Sequence, residues 1–278
     1  MWPIGVFASI GSGLGVQLDV VKELGIHSVQ LCCPHKENRT KENAESFLKK
    51  LKEIDVTISV VFCDFKGESY ADIPTVKKTI GIVPKETRAE RVQEIREIAD
   101  FAKILGCDAL GIHIGFIPHD KNDPDYAELI QIMRDLSDYL KQNGQRFHLE
   151  TGQETADGLE QFLTDLHRDN VFVNFDPANM ILYGSGEPIP ALKKVAKWVR
   201  SCHCKDAKWS DSPGETWGAE VPFGEGDVNA RLFLETLKEI GYDGPLTIER
   251  EIPQDAARQK TEIMQAMTFI ENVKKEIL

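Results

Sequence analysis

Short apolar runs closed by Gly, Asp or Pro alternate along this chain with longer stretches whose apolar residues recur at helical spacing, so strands and amphipathic helices are expected in turn. Eight such units can be read. Strands are predicted over residues 4–9, 27–32, 56–63, 109–113, 146–150, 171–176, 198–205 and 245–249. Helices are predicted over 16–24, 41–54, 85–105, 124–142, 155–167, 189–196, 229–240 and 256–275. Gly106 is read as a helix C-cap and Asn143-Gly144 as a stop signal. Two connections, 64–84 and 206–226, exceed the usual few residues and are expected to be functional, lid-like segments. Eight strand–helix pairs in 278 residues give the pattern and size of a (β/α)8 TIM barrel, and no linker divides 1–278 into more than one domain. The competing architecture is a doubly wound open sheet. Its dinucleotide signal is weak, because Gly11-Ser12-Gly13-Leu14-Gly15 misses the last glycine of G-x-G-x-x-G, and a flexible turn explains it.

Within the later strands the side chains alternate. Leu110 and Ile112 oppose Gly111 and His113; Phe147 and Leu149 oppose His148 and Glu150; Val173 and Phe175 oppose Asn174 and Asp176. Cys202 and Cys204 oppose His203 and Lys205, and Ile248 opposes Thr247 and Glu249. With the apolar faces packed on helices, the polar faces point into the barrel, and Glu150, Asp176, His203 and Glu249 meet at the C-terminal mouth where such barrels carry their chemistry. A lone strand-end acid is usually a turn or N-cap residue, and Asp176-Pro177 could simply open a loop. Four such residues on one face are different, since three carboxylates in a partly desolvated space call for a cation. One divalent metal ion is therefore expected, and oxygen-rich ligation with a single His suits Mn²⁺, Mg²⁺ or Co²⁺, with Zn²⁺ also compatible.

Charge narrows the partners. Against 33 Lys and Arg stand 45 Asp and Glu, a net charge of −12 that disfavours nucleic acid and anionic lipid. Seven His and six Cys complete the reactive inventory. The cysteines lack the dense spacing of a secreted disulfide framework, no run of about 18 apolar residues occurs, and the start lacks an export signal, so a reducing cytoplasm and no membrane are expected. The Cys202-His203-Cys204 triplet places both sulfurs opposite the imidazole, and Cys32-Cys33 point opposite ways, so all are expected to be structural thiols. A homo-oligomer is compatible with everything above.

The chain resembles the sugar phosphate isomerase/epimerase superfamily of xylose isomerase-like barrels over essentially its whole length. The carriers are Gly111-Ile112-His113-Ile114-Gly115-Phe116, Leu149-Glu150-Thr151, Asn174-Phe175-Asp176-Pro177-Ala178-Asn179, His203-Cys204-Lys205-Asp206, Phe223-Gly224-Glu225-Gly226-Asp227-Val228 and Leu246-Thr247-Ile248-Glu249. The resemblance implies a divalent metal held by Glu150, Asp176, His203 and Glu249, with Glu150 and Glu249 as the catalytic acid/base pair. It implies a small-molecule carbohydrate substrate and isomerase or epimerase chemistry through an enediolate. Ketose 3-epimerases of the superfamily carry His where this chain has Asn179, and Arg near where it has Lys208 and Trp209, so their substrates do not transfer directly.

His113 is a candidate for binding a substrate oxygen or orienting a ligand, and Asn179 is a substrate candidate by its position in the motif. Lys205 is a candidate for an acidic or phosphorylated substrate, or else for a salt bridge to Asp206 or a strand-end acid. Trp217, with Trp209, suits a sugar ring from the 206–226 segment. The same site could serve a lyase or hydrolase of an oxidised sugar or keto-glycoside, whereas the fold's multi-zinc DNA-repair endonucleases need more His and a basic surface.

Overall fold

The computed structural model describes residues 2–9, 15–252 and 254–278. Eight parallel strands form a closed barrel: β1 (Ile4–Ser9), β2 (Ser28–Cys32), β3 (Thr57–Phe62), β4 (Ala109–Ile112), β5 (Arg146–Glu150), β6 (Val171–Phe175), β7 (Val199–Cys204) and β10 (Leu246–Ile248), the last pairing with β1. Closure excludes the doubly wound open sheet. Of the Gly-rich turn, residues 11–14 lie outside the described residues. Among the described residues no helix is long and apolar enough to cross a membrane.

Helices follow the strands and lie outside them: α1 (Leu18–Glu23), α2 (Lys41–Glu53), α3 (Ile73–Thr79), α4 (Lys85–Ile104), α5 (Pro124–Gln142), α6 (Ala156–Leu166), α7 (Pro177–Tyr183), α8 (Pro188–Val195), α9 (Ala230–Glu239) and α10 (Ala256–Ile277). Side-chain oxygens start several of them. Thr40, Asp72, Asp123, Thr155 and Asp255 each accept a backbone N–H of the first turn, satisfying donors that no helical carbonyl can reach.

The expected alternation is observed. Phe147, Leu149, Val173, Phe175, Cys202 and Cys204 join the apolar layer under the helices. The opposite faces meet inside the barrel, where the Gln30 amide donates to Asn174 Oδ1 at 3.1 Å and the His148 and Ser201 side chains bond at 2.8 Å. Gly111 has no side chain for a reason of space: a Cβ there would lie 2.5 Å from the Phe62 ring, which fills the barrel interior beside it. No cysteine forms a disulfide, and five of the six are buried, in keeping with structural thiols.

Three features depart from the sequence expectations. After β6 there are two helices rather than one; α7 is buried nearly all round, so it shows no polar face for helical periodicity to reveal. Residues 64–84 contain α3, a short helix capped by Asp72. The 206–226 segment contains an antiparallel pair, β8 (Asp206–Lys208) and β9 (Ala219–Val221), too short for alternation to register.

Candidate metal centre

Strand register assembles the site. Glu150 ends β5 opposite Asn174, two residues before Asp176; Phe175 pairs with Cys202, which puts Asp176 level with His203; and Thr247 pairs with His203, carrying Glu249 level with Lys205. One ligand atom from each of Glu150, Asp176, His203 and Glu249 lies within 4.8 Å of the others. His203 Nδ1 is the hub, 2.7 Å from Glu150 Oε1, 3.0 Å from Glu249 Oε2 and 3.3 Å from Asp176 Oδ2.

Each donor is held by groups that are not donors. His203 Nε2 donates to Gln30 Oε1 at 2.6 Å, which leaves Nδ1 facing the carboxylates. The Asp176 peptide is clamped by Thr151, whose hydroxyl accepts its N–H at 2.7 Å and donates to its carbonyl at 2.8 Å. Asp176 Oδ1 caps α7 by accepting the Asn179 N–H at 2.9 Å, so Oδ2 alone faces His203. Asp176 is thus both the N-cap weighed as a simple explanation and a member of the cluster.

The electrostatics favour a positive charge at this point. Burial opposes ionisation of Glu150, yet His113 and His203 hold its carboxyl down at about 2. Glu249 is likewise held well below the usual carboxylate range, against burial, by His203 and Lys205. Burial dominates at Asp176 and raises it to about 6. His203 is pushed well above the ordinary imidazole value, burial notwithstanding, by Glu249 and Glu150. Three carboxylates that draw a proton onto the one nitrogen between them form a donor set suited to a divalent ion.

A cavity of about 770 Å³ opens over the cluster. All four substrate candidates reach it. His113 Nε2 lies 2.8 Å from Glu150 Oε2, so in the structure it orients that carboxylate. The Asn179 amide donates to Glu150 Oε1 at 3.4 Å and its oxygen accepts from Lys205 Nζ at 3.4 Å. Lys205 is buried and bonds Glu249 Oε2 at 3.3 Å and Glu251 Oε1 at 2.9 Å, the strand-end salt bridge weighed above, whereas Asp206 turns elsewhere. Trp217 packs edge-on to Tyr183 at 4.7 Å, and its indole N–H is buried without a partner among the described residues.

The 206–226 segment is less free than a lid would be. The Asp206 carboxylate accepts the N–H groups of Ala207, Gly224, Gly226 and Val228, which is the structural work of the Phe223–Val228 motif. Gly218 N–H bonds the Leu182 carbonyl and Trp209 N–H bonds Asp227, leaving 211–216 as the exposed tip. Sequence reading passed over Gln30, Tyr183 and Gln153. Gln153 donates to Tyr183 Oη at 3.1 Å and lies 3.4 Å from His113 Nδ1. Gln30 stood in the predicted strand 27–32, but only the cross-barrel distance reveals its partner.

The family model for the xylose isomerase-like TIM barrel matches residues 18–273. Among solved structures, a xylose isomerase domain protein from Planctomyces limnophilus shares 52% identity at a TM-score of 0.97, covering 99% of this chain and 98% of the other. A D-tagatose 3-epimerase-like protein shares the fold at a TM-score of 0.73, with 19% identity over 99% of this chain and 100% of the other. Inosose dehydratase from Lacticaseibacillus casei is 24% identical over 156 residues, 51% of each chain, so this chain spans about half the length of that relative. Fold, register and family model agree: the chain belongs to the xylose isomerase-like TIM barrel family.

Proposed function

We propose that this protein is a divalent-metal-dependent isomerase or epimerase of a small carbohydrate, in which Glu150 and Glu249 remove and return the proton next to a carbonyl. The supporting observation is the convergence of both glutamates, Asp176 and His203 within 4.8 Å beneath a cavity. A divalent ion bound there would supply a Lewis acid that polarises the substrate carbonyl. Glu150, Asp176, His203 and Glu249 would hold it.

The two glutamates are dressed differently for proton transfer. Glu150 is nearly inaccessible and contacts His113 and Asn179; Glu249 is more open and contacts Lys205. Each carboxylate therefore has a cationic or polar neighbour to steady its charged form. A carbohydrate in the cavity lies against Phe7, Phe62, Tyr183 and Trp217, aromatic surface suited to the C–H faces of a sugar. Return of the proton to the same carbon from the other side epimerises; return to its neighbour isomerises.

A dehydratase reading has one observation of its own, the similarity to inosose dehydratase over half its length. Exchange of solvent deuterium into ketoses, inososes and keto-glycosides, with Mn²⁺ supplied, tests the proposal and the product separates the readings. At saturating metal, Glu150→Gln and Glu249→Gln should each slow exchange about 10²-fold or more, because an amide keeps the shape but relays no proton. Near-parental exchange in either variant removes that residue from the pair.

A further inference from the structure

The charges lining the cavity are unevenly distributed. Asp64, Glu68, Glu220 and Glu251 add to the ligand carboxylates Glu150 and Glu249. Against them, among the described residues, stand Lys205, Arg250 and His113. Each of the three is already engaged by a carboxylate. Arg250 holds Glu220 at 2.6 Å and Glu262 at 2.7 Å; His113 holds Glu150; Lys205 holds Glu249 and Glu251 and is itself only 2% exposed. An anionic substrate would have to displace Glu251 to reach Lys205 and would then lie against Glu249, Glu220 and Glu68.

Resting on the assignment of this cavity as the substrate site, we infer that the substrate is an uncharged carbohydrate, neither phosphorylated nor carboxylated, and that Lys205 is a positioning residue for Glu249 and Asn179 rather than an anion anchor. The remaining polar offers suit hydroxyls. Tyr183, whose Oη accepts the Gln153 amide at 3.1 Å, lines the cavity, and a neutral hydroxyl pairs with such a group without bringing charge into an acidic wall. The aromatic surface beside it accepts the apolar face of the same ring.

The test is calorimetric titration of Mg²⁺-loaded protein with inorganic phosphate and with D-fructose 6-phosphate. Neither should show saturable binding in the millimolar range. Glu251→Gln, at an exposed side chain, should release Lys205 and increase phosphate affinity at least tenfold, and adding Glu220→Gln should increase it further by releasing Arg250. Saturable millimolar binding of either anion to the parent overturns the inference, and so does an unchanged phosphate affinity in both variants. Lys205→Met in the Glu251→Gln background should abolish the phosphate affinity gained, and its survival overturns the assignment of Lys205 as the cation that Glu251 holds. Absence of deuterium exchange across the carbohydrate panel would refute proton abstraction and leave these titrations unaffected.

Discussion

Replacing Gln30 tests whether a residue outside the proposed metal-holding set, bonded to one of its members, sets the affinity of the centre. Gln30 is 1% exposed, and its side chain makes two cross-barrel contacts, accepting from His203 Nε2 at 2.6 Å and donating to Asn174 Oδ1 at 3.1 Å. Gln30→Met nearly conserves volume but removes both, leaving a buried donor on His203 and a buried acceptor on Asn174. Such orphaned groups cost about 1–3 kcal/mol each. In the metal-free protein, urea unfolding should report a loss within that range or its double. Loss of an outer hydrogen bond to a ligating histidine typically lowers metal affinity 10- to 100-fold, about 1.4 to 2.8 kcal/mol. Competition of Mn²⁺ against a chelator of known affinity measures it. Gln30→Glu keeps an acceptor for Nε2–H and should retain more of the parental affinity than Gln30→Met. If Gln30→Met binds Mn²⁺ within twofold of the parent, the imidazole is oriented by other contacts and the reasoning fails.

Metal should stabilise the fold: Mn²⁺ at a hundred times its dissociation constant is expected to add about 2.7 kcal/mol to unfolding, and His203→Ala, checked by thermal melts with and without chelator, should abolish that increment. Burial lowers the His148 imidazole to about 3, helped by Arg146 and Arg200, so the folded state binds fewer protons than the unfolded state between pH 6.5 and 3. Stability from this group is therefore full above about pH 6.5 and is lost as pH falls toward 3, at up to about 1.4 kcal/mol per unit. Urea unfolding of His148→Asn at pH 7 and pH 5 should show a smaller acid-induced decrease than the parent, and an equal decrease would refute the assignment. With Trp2 and Trp198 replaced by Phe, tryptophan emission should change on addition of a bound polyol but not of metal alone if the 211–216 tip closes; an unchanged signal under demonstrated binding means the segment is fixed.

The barrel was legible because it is written in period two and period three to four over long segments. The 124–142 helix is recovered to the residue, since Pro124 opens it and Asn143-Gly144 ends it. The four cluster residues were legible for a related reason: parallel register carries strand ends to one mouth, so position along the strand stands in for position in space. Where local periodicity carries no contrast, reading failed. Pro177–Tyr183 is buried on nearly every side and gives no amphipathic stripe, and three-residue strands such as Asp206–Lys208 are too short to alternate.

The larger blind spot concerns partners rather than elements. For Lys205 the sequence offered a substrate anchor and, as the simpler reading, a salt bridge to Asp206 or a strand-end acid, without deciding which acid, because a lysine's neighbours three strands of sequence away are invisible there. In the structure the nearest carboxylates are Glu249 and Glu251, which follow β10, the strand hydrogen-bonded to β7. Gln30 comes from the far side of the barrel, 173 residues before the imidazole it orients. Donor identity is thus encoded locally, at strand ends, while donor orientation is encoded across the barrel. A strand-end motif can therefore be preserved in a chain whose interior polar residues have changed, and the chemistry of such a site follows from the interior as much as from the motif.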